Sequence, residues 1–225
     1  MSIVSSPAAL TTRSAYTPPA HGIPTDTTYE TQLGDALKDK YAVVYVGYSG
    51  AGYAQAGAVK QAIARDLKAI CDTRHTTHDM VVVAGGTPEG IGMVYDVARD
   101  MRLATFGIVA AQGAQYASTN CEMLMTVTNA STDDWSTRMP ESDEELVVAA
   151  LRVATEQGNG AQLLAYNGGP QAFEEAMAAT RAGYDVTIMH DHQPASTGRP
   201  MPFNDPGRLR ALIDAGAQVF LTEVN

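Results

Sequence analysis

The sequence predicts an α/β domain: a doubly wound parallel sheet of about seven strands with helices on both faces. Three observations predict it. Short runs rich in β-branched residues alternate almost strictly with stretches of helical period. The links between them are short, and several runs break on glycine-rich turns. The 225 residues contain no internal repeat and no dividing linker, so one large domain accounts for them.

The elements follow in order. Residues 1–28 are rich in Ser, Thr, Pro and Ala, with Pro18-Pro19 and Ile23-Pro24. Such a segment buries too little apolar surface to offset its ordering entropy. It is expected to be a flexible N-terminal arm, with the domain over 29–225. Ala42 to Val46 is a continuous apolar run suited to a strand buried on both faces, and it breaks at Gly47-Tyr48-Ser49-Gly50-Ala51-Gly52. A helix follows with Val59, Ile63, Leu67 and Ile70 on one side. Met80 to Ala84 is the second strand, breaking at Gly85-Gly86-Thr87-Pro88-Glu89-Gly90, and Ile91, Val94, Tyr95, Ala98 and Met101 mark the next helix.

Thr105 to Ala110 and Met123 to Thr128 read as strands, and Glu144 to about Gln157 as a helix with Leu146, Ala150, Val153 and Ala154 inward. Gln162 to Tyr166 is a strand ending in Asn167-Gly168-Gly169-Pro170. The helix after it groups Phe173, Ala176, Met177 and Thr180. A strand at Val186 to Met189, a helix from Pro206 to Ala215 and a strand at Gln218 to Leu221 complete the chain.

Composition narrows the function. The apolar fraction is 45%, the charged fraction 18% and the net charge −10, with no basic stripe. That argues against nucleic acid or an anionic membrane as the main partner. Cys71 and Cys121 lie far apart, with no CxxC pair and no metal-type spacing, so reduced thiols are expected. The N-terminus lacks a signal-peptide pattern and no apolar stretch would span a bilayer. The expectation is a soluble, cytoplasmic protein.

Ligands of open parallel sheets bind beyond the carboxyl ends of the strands. Three glycine turns are expected there, offering backbone N–H groups to an anion at helix starts. The first contributes Gly47, Ser49 and Gly50, the second Gly85, Gly86, Thr87 and Gly90, the third Asn167, Gly168, Gly169 and Gln171. Any one of them is also an ordinary tight connection. Neither a full GxGxxG nor a GxxxxGK[ST] is present, which weakens dinucleotide-binding and ATP-hydrolysing readings. His190-Asp191-His192 follows a strand, but two imidazoles make a poor metal site, so ligand contact by His190 or loop structure is expected and no metal. The polar stretch Gln193 to Asn204 has the length of a lid, from which Arg199 could reach a phosphate. His75 and His78 stand in a polar link.

Gly85-Gly86-Thr87-Pro88-Glu89-Gly90-Ile91-Gly92 resembles the GGGxxGLMG turn of the LOG family, within the SLOG Rossmann-like superfamily. Gly168-Gly169-Pro170-Gln171-Ala172-Phe173-Glu174-Glu175 stands where that family carries GGxGTxxE. The resemblance runs from about Ala42 to the C-terminus. It implies a Rossmann-like fold, a nucleotide-shaped site without a cofactor, a homodimer, and release of a base from a nucleoside 5′-monophosphate, with Glu175 acting on the ribose. The chain departs from the pattern in three places. Gln171-Ala172 replaces Gly-Thr, Gly92-Met93 reverses the usual order, and the catalytic arginine has Arg138 as its nearest candidate. Glu175 is equally a helix-start charge, and Arg138, near Asp133 and Asp134, has a solvated surface role as its other reading. Two functions stay open at this point: an N-glycosidic phosphoribohydrolase, and a nucleotide-sensing module that binds without chemistry. A protein whose glycine turns merely close the fold ranks third.

Overall fold

The computed structural model describes residues 26–74, 79–129, 131, 133–196, 198 and 201–220. Seven strands, β1 (Tyr41–Gly47), β2 (Met80–Ala84), β3 (Ala104–Ala110), β4 (Met123–Val127), β5 (Ala161–Tyr166), β6 (Asp185–Met189) and β7 (Gln218–Phe220), form one all-parallel sheet in the order β4-β3-β2-β1-β5-β6-β7. Six α-helices are described: α1 (Asp26–Leu37), α2 (Ala56–Arg74), α3 (Val94–Asp100), α4 (Leu146–Glu156), α5 (Pro170–Arg181) and α6 (Pro206–Ala215). The architecture is the Rossmann-like α/β class that the alternation of runs predicts.

β1 lies at the centre because both its faces are apolar. Val43 and Tyr45 pack with α2 and α3 on one side, while Ala42, Val44 and Val46 pack with α1, α4, α5 and α6 on the other. α4 is buried nearly all round, with Leu146, Val147, Val148, Ala149, Ala150, Leu151, Val153 and Ala154 inside. A helix this apolar must be covered on both sides, and α1 supplies the outer layer with Tyr29, Leu33, Ala36 and Leu37. Each fully buried leucine there contributes about 1.5–3 kcal/mol.

α1 begins at Asp26, within the last residues of the stretch expected to be the arm. Residues 26–28 are helical, because the Asp26 carboxylate accepts from the backbone N–H groups of Glu141 (2.8 Å) and Ser142 (2.9 Å). Arg152 on α4 fastens the same helix through Glu30 and also pairs with Glu144 at 3.0 Å. The rest of the arm, His75, His78, Arg199 and Leu221 lie outside the described residues. The helix expected across Ile91 to Met101 divides into a 3₁₀ turn (Gly90–Met93) and α3, and the strand expected to reach Thr128 ends at Val127. Among the described residues no helix is long and apolar enough to cross a membrane.

Candidate functional site

Strand order turns back beside β1: the chain runs outward to β2, β3 and β4, then returns to place β5 on the other flank. The helices that follow β1 and β5 therefore pack on opposite faces of the sheet, the position where ligands enter such sheets. Gly47 is in register with Tyr166, so the first and third turns leave the sheet side by side. Glycine is what lets them touch. A Cβ on Gly168, at φ +142°, would lie 2.5 Å from the Ala172 Cβ and 3.2 Å from the Gly47 Cα.

Asn167 holds this turn. It is fully buried in the left-handed region at φ 55°, a conformation that asparagine tolerates better than most residues. Its Oδ1 accepts from the Gly168 N–H at 3.1 Å, and its Nδ2 donates to the His190 carbonyl at 2.8 Å and to Asn204 Oδ1 at 3.3 Å. The second turn packs against the first through Gly90, whose Cβ would lie 1.9 Å from the Tyr48 carbonyl oxygen. Gly86, at φ +77°, passes close to β3, since a Cβ on Gly107 would come within 2.8 Å of its Cα.

The three turns surround a cavity of about 630 Å³, within the range of small-molecule sites. Gly47, Ser49 and Gly50 line it from the first turn, Gly85, Thr87 and Glu89 from the second, and Gly169, Pro170 and Gln171 from the third. Ile108, Val109 and Ala110 at the end of β3 form the far wall, with Tyr116 and Trp135 at the rim. α5 opens on this space. Gly169 caps it without a side chain and Pro170 fills the first helical position. The N–H groups of Gln171 and Ala172 therefore find no acceptor within the helix, and they meet none among the described residues. No lysine or arginine among the described residues lines the cavity.

Glu175, one turn into α5, is 6% exposed and part of the wall. Gln171 Nε2 donates to its Oε1 at 3.0 Å. Burial pushes its carboxyl up to about 8, with the Glu145 charge adding to the rise and Gln171 and Arg138 opposing it. Glu145, also buried, precedes α4 and is paired with Arg138, whose guanidinium further donates to Asp143 Oδ2 at 3.0 Å. Burial raises the Glu145 carboxyl too, while Arg138 opposes that rise.

The structure thus brings Gly47, Ser49, Gly50, Gly85, Thr87, Gly169, Gln171 and Glu175 to one cavity. Gly86, Gly90, Asn167 and Gly168 are outside its lining and shape the turns. Arg138 is outside it as well, engaged by two carboxylates. His190 sits behind the third turn with Nε2 2.9 Å from the Phe203 carbonyl. His192 stacks on Tyr166 at 5.2 Å between ring centres, and burial lowers its pKa. Among the described residues no group of three His, Cys, Asp or Glu side chains is placed to hold a metal ion. No sequence spacing marks Tyr116 and Trp135 as parts of one site. A lone tryptophan in the polar stretch Asp133-Asp134-Trp135-Ser136 was the available signal.

No protein-family model and no curated protein matches the chain. Among solved structures, it is similar to the molybdenum cofactor carrier protein of Chlamydomonas reinhardtii, with a TM-score of 0.50 and 15% identity over 80% of this chain and 89% of that one. A structural-genomics target, TM1055, gives 0.44 and 16% over 68% and 76%, and DNA processing protein A of Streptococcus pneumoniae gives 0.43 and 15% over 83% and 60%. The first likeness shows a shared Rossmann-like fold.

Proposed function

We propose that the chain binds a nucleotide or ribose phosphate in this cavity, the phosphate resting on backbone N–H groups of the glycine turns. The observation that carries the reading is the convergence of three turns from separate strands on one space, with the start of α5 aimed into it. Peptide dipoles place roughly half a positive charge at such a helix start, and its free amides match phosphate oxygens. Among the described residues no basic side chain lines the wall, and the recognition they offer rests on backbone geometry. The carrier protein of like fold is named for a small cofactor, which agrees with a small-molecule site on this scaffold. Calorimetry with AMP and ribose 5-phosphate tests the reading. Saturable binding of either is expected, and no heat with any nucleoside monophosphate or with ribose 5-phosphate would remove it.

A second reading adds hydrolysis of the N-glycosidic bond of a nucleoside 5′-monophosphate. Glu175 favours it: a buried carboxyl in the wall that keeps its proton near neutral pH. Such a group can donate that proton to the departing base as the C1′–N bond breaks, then take one from the water that adds to C1′. The products are free base and ribose 5-phosphate. Chromatography after incubation with a panel of nucleoside monophosphates should show free base, lost in Glu175→Gln. Unchanged nucleotides throughout would leave binding alone.

A further inference from the structure

The cavity has a second, chemically different end. Tyr116 and Trp135 lie at its rim on the β3 and β4 side, 58% and 54% exposed. The Trp135 ring is not loose decoration of a loop. The Trp135 ring lies over Gly113, where a Cβ would come within 3.2 Å of Cζ3. The backbone on both sides of it is tied down. Asn129 Nδ2 donates to the carbonyls of Asp134 (2.7 Å) and Ser136 (3.0 Å), Gln112 Nε2 donates to the Asp134 carbonyl, and the Ser136 N–H donates to Asp134 Oδ1 at 2.9 Å. A large apolar ring, held rigidly and left half in water at the mouth of a cavity, is arranged to meet something planar.

We propose that Trp135 and Tyr116 form a stacking platform for an aromatic heterocycle, so that the site takes a complete nucleotide with its base on this platform. The inference rests on the anion cradle argued above, and it adds the class of group bound at the other end. The cavity lining includes an apolar set, Ile108, Val109, Ala110 and Val147. It suits the faces of a sugar and base better than further charge. Stacking on aromatic side chains tolerates any base, so the platform selects for the presence of a base and does not choose among bases.

Trp135 is the chain's single tryptophan, so its fluorescence reports on this subsite alone. Titration with AMP should quench it, and ribose 5-phosphate, held by the cradle only, should not. Calorimetry should show AMP binding at least about tenfold tighter than ribose 5-phosphate. Trp135→Ala should weaken AMP by roughly 5- to 100-fold and leave ribose 5-phosphate within about twofold, while Trp135→Phe restores most of the loss. Equal affinities for AMP and ribose 5-phosphate, or an equal effect of Trp135→Ala on both, would overturn the platform and leave the cradle standing. If Trp135→Ala changes the oligomeric state by light scattering and AMP affinity is untouched, the rings are a contact between copies and the platform is rejected. If neither compound binds, the cradle itself is wrong and the platform goes with it.

Discussion

The backbone N–H of Ile91 donates to the carbonyl of Tyr48 across 2.6 Å, so the second glycine turn hangs on the first. That approach exists because Gly90, at φ +58°, brings no Cβ against the same carbonyl, and because Gly92 clears the carbonyl of Thr87, where a Cβ would sit 1.7 Å away. Gly50, Gly85 and Gly169 differ: a Cβ on any of them would meet no atom within 4 Å. Two kinds of glycine therefore occupy these turns.

Gly90→Ala and Gly92→Ala should each cost about 3 kcal/mol or more, read as a fall in Tm of roughly 6–12 °C. Gly50→Ala, Gly85→Ala and Gly169→Ala should leave Tm nearly unchanged but weaken phosphate-ligand binding, since the added methyl enters the space the ligand needs. Thermal melts and calorimetry on the five variants separate the groups.

Glu175 makes stability fall with rising pH. Its carboxyl holds a proton in the folded chain up to about 8, against an ordinary value of 4.5. Between those values the folded state binds the proton and the unfolded state does not. The contribution is whole below the lower value and disappears as pH climbs to the upper one. Urea denaturation from about pH 6 to about pH 9 should show a decline of up to about 1.4 kcal/mol per pH unit, flattened in Glu175→Gln.

Removing Arg138 should orphan Glu145, which is 7% exposed. The Arg138 side chain is more than a third exposed, so Arg138→Ala should cost only about 1–2 kcal/mol by denaturant unfolding, below the range for fully buried pairs. Arg138→Ala with Glu145→Gln should recover most of it. AMP affinity within about twofold in the double variant would place Arg138 outside ligand recognition.

Asn167→Ala should cost about 2–4 kcal/mol, since it strips three hydrogen bonds and puts alanine at φ 55°. Asn167→Gly should be less damaging by about 1 kcal/mol, because glycine relieves the backbone part alone. Chemical denaturation of both variants checks the difference.

The sheet was legible because β1 and β2 are unbroken apolar runs and each stops on glycine, a pattern written in consecutive residues. α1 was less so. Tyr29, Leu33, Ala36 and Leu37 do carry a helical period, but a proline-rich preamble and a polar outer face masked it, and its burial depends on α4 far along the chain. The gathering of the glycine turns at one cavity was legible from glycines at strand ends. The rim was not, because Tyr116 and Trp135 come from segments after different strands and reach the same cavity only through the β4-β3 pairing. Arg138 stands in the sequence beside acidic residues of a loop, and nothing local shows that it would be taken up by Glu145 and Asp143.

Tyr53 forms an antiparallel bridge with Pro194, Ala54 N–H donates to the Gln193 carbonyl at 2.9 Å, and Ala195 N–H donates to the Gly52 carbonyl at 3.2 Å. The loop that closes the first turn is thus supplied by residues made long after it. On the ribosome, the early half of the sheet emerges with that turn unlatched, and the latch arrives only once β6 has been synthesised. Truncated fragments ending before β6 should keep strands β1 to β4 yet expose the 52–54 peptide bonds to protease, so the pocket matures as a late event of vectorial synthesis.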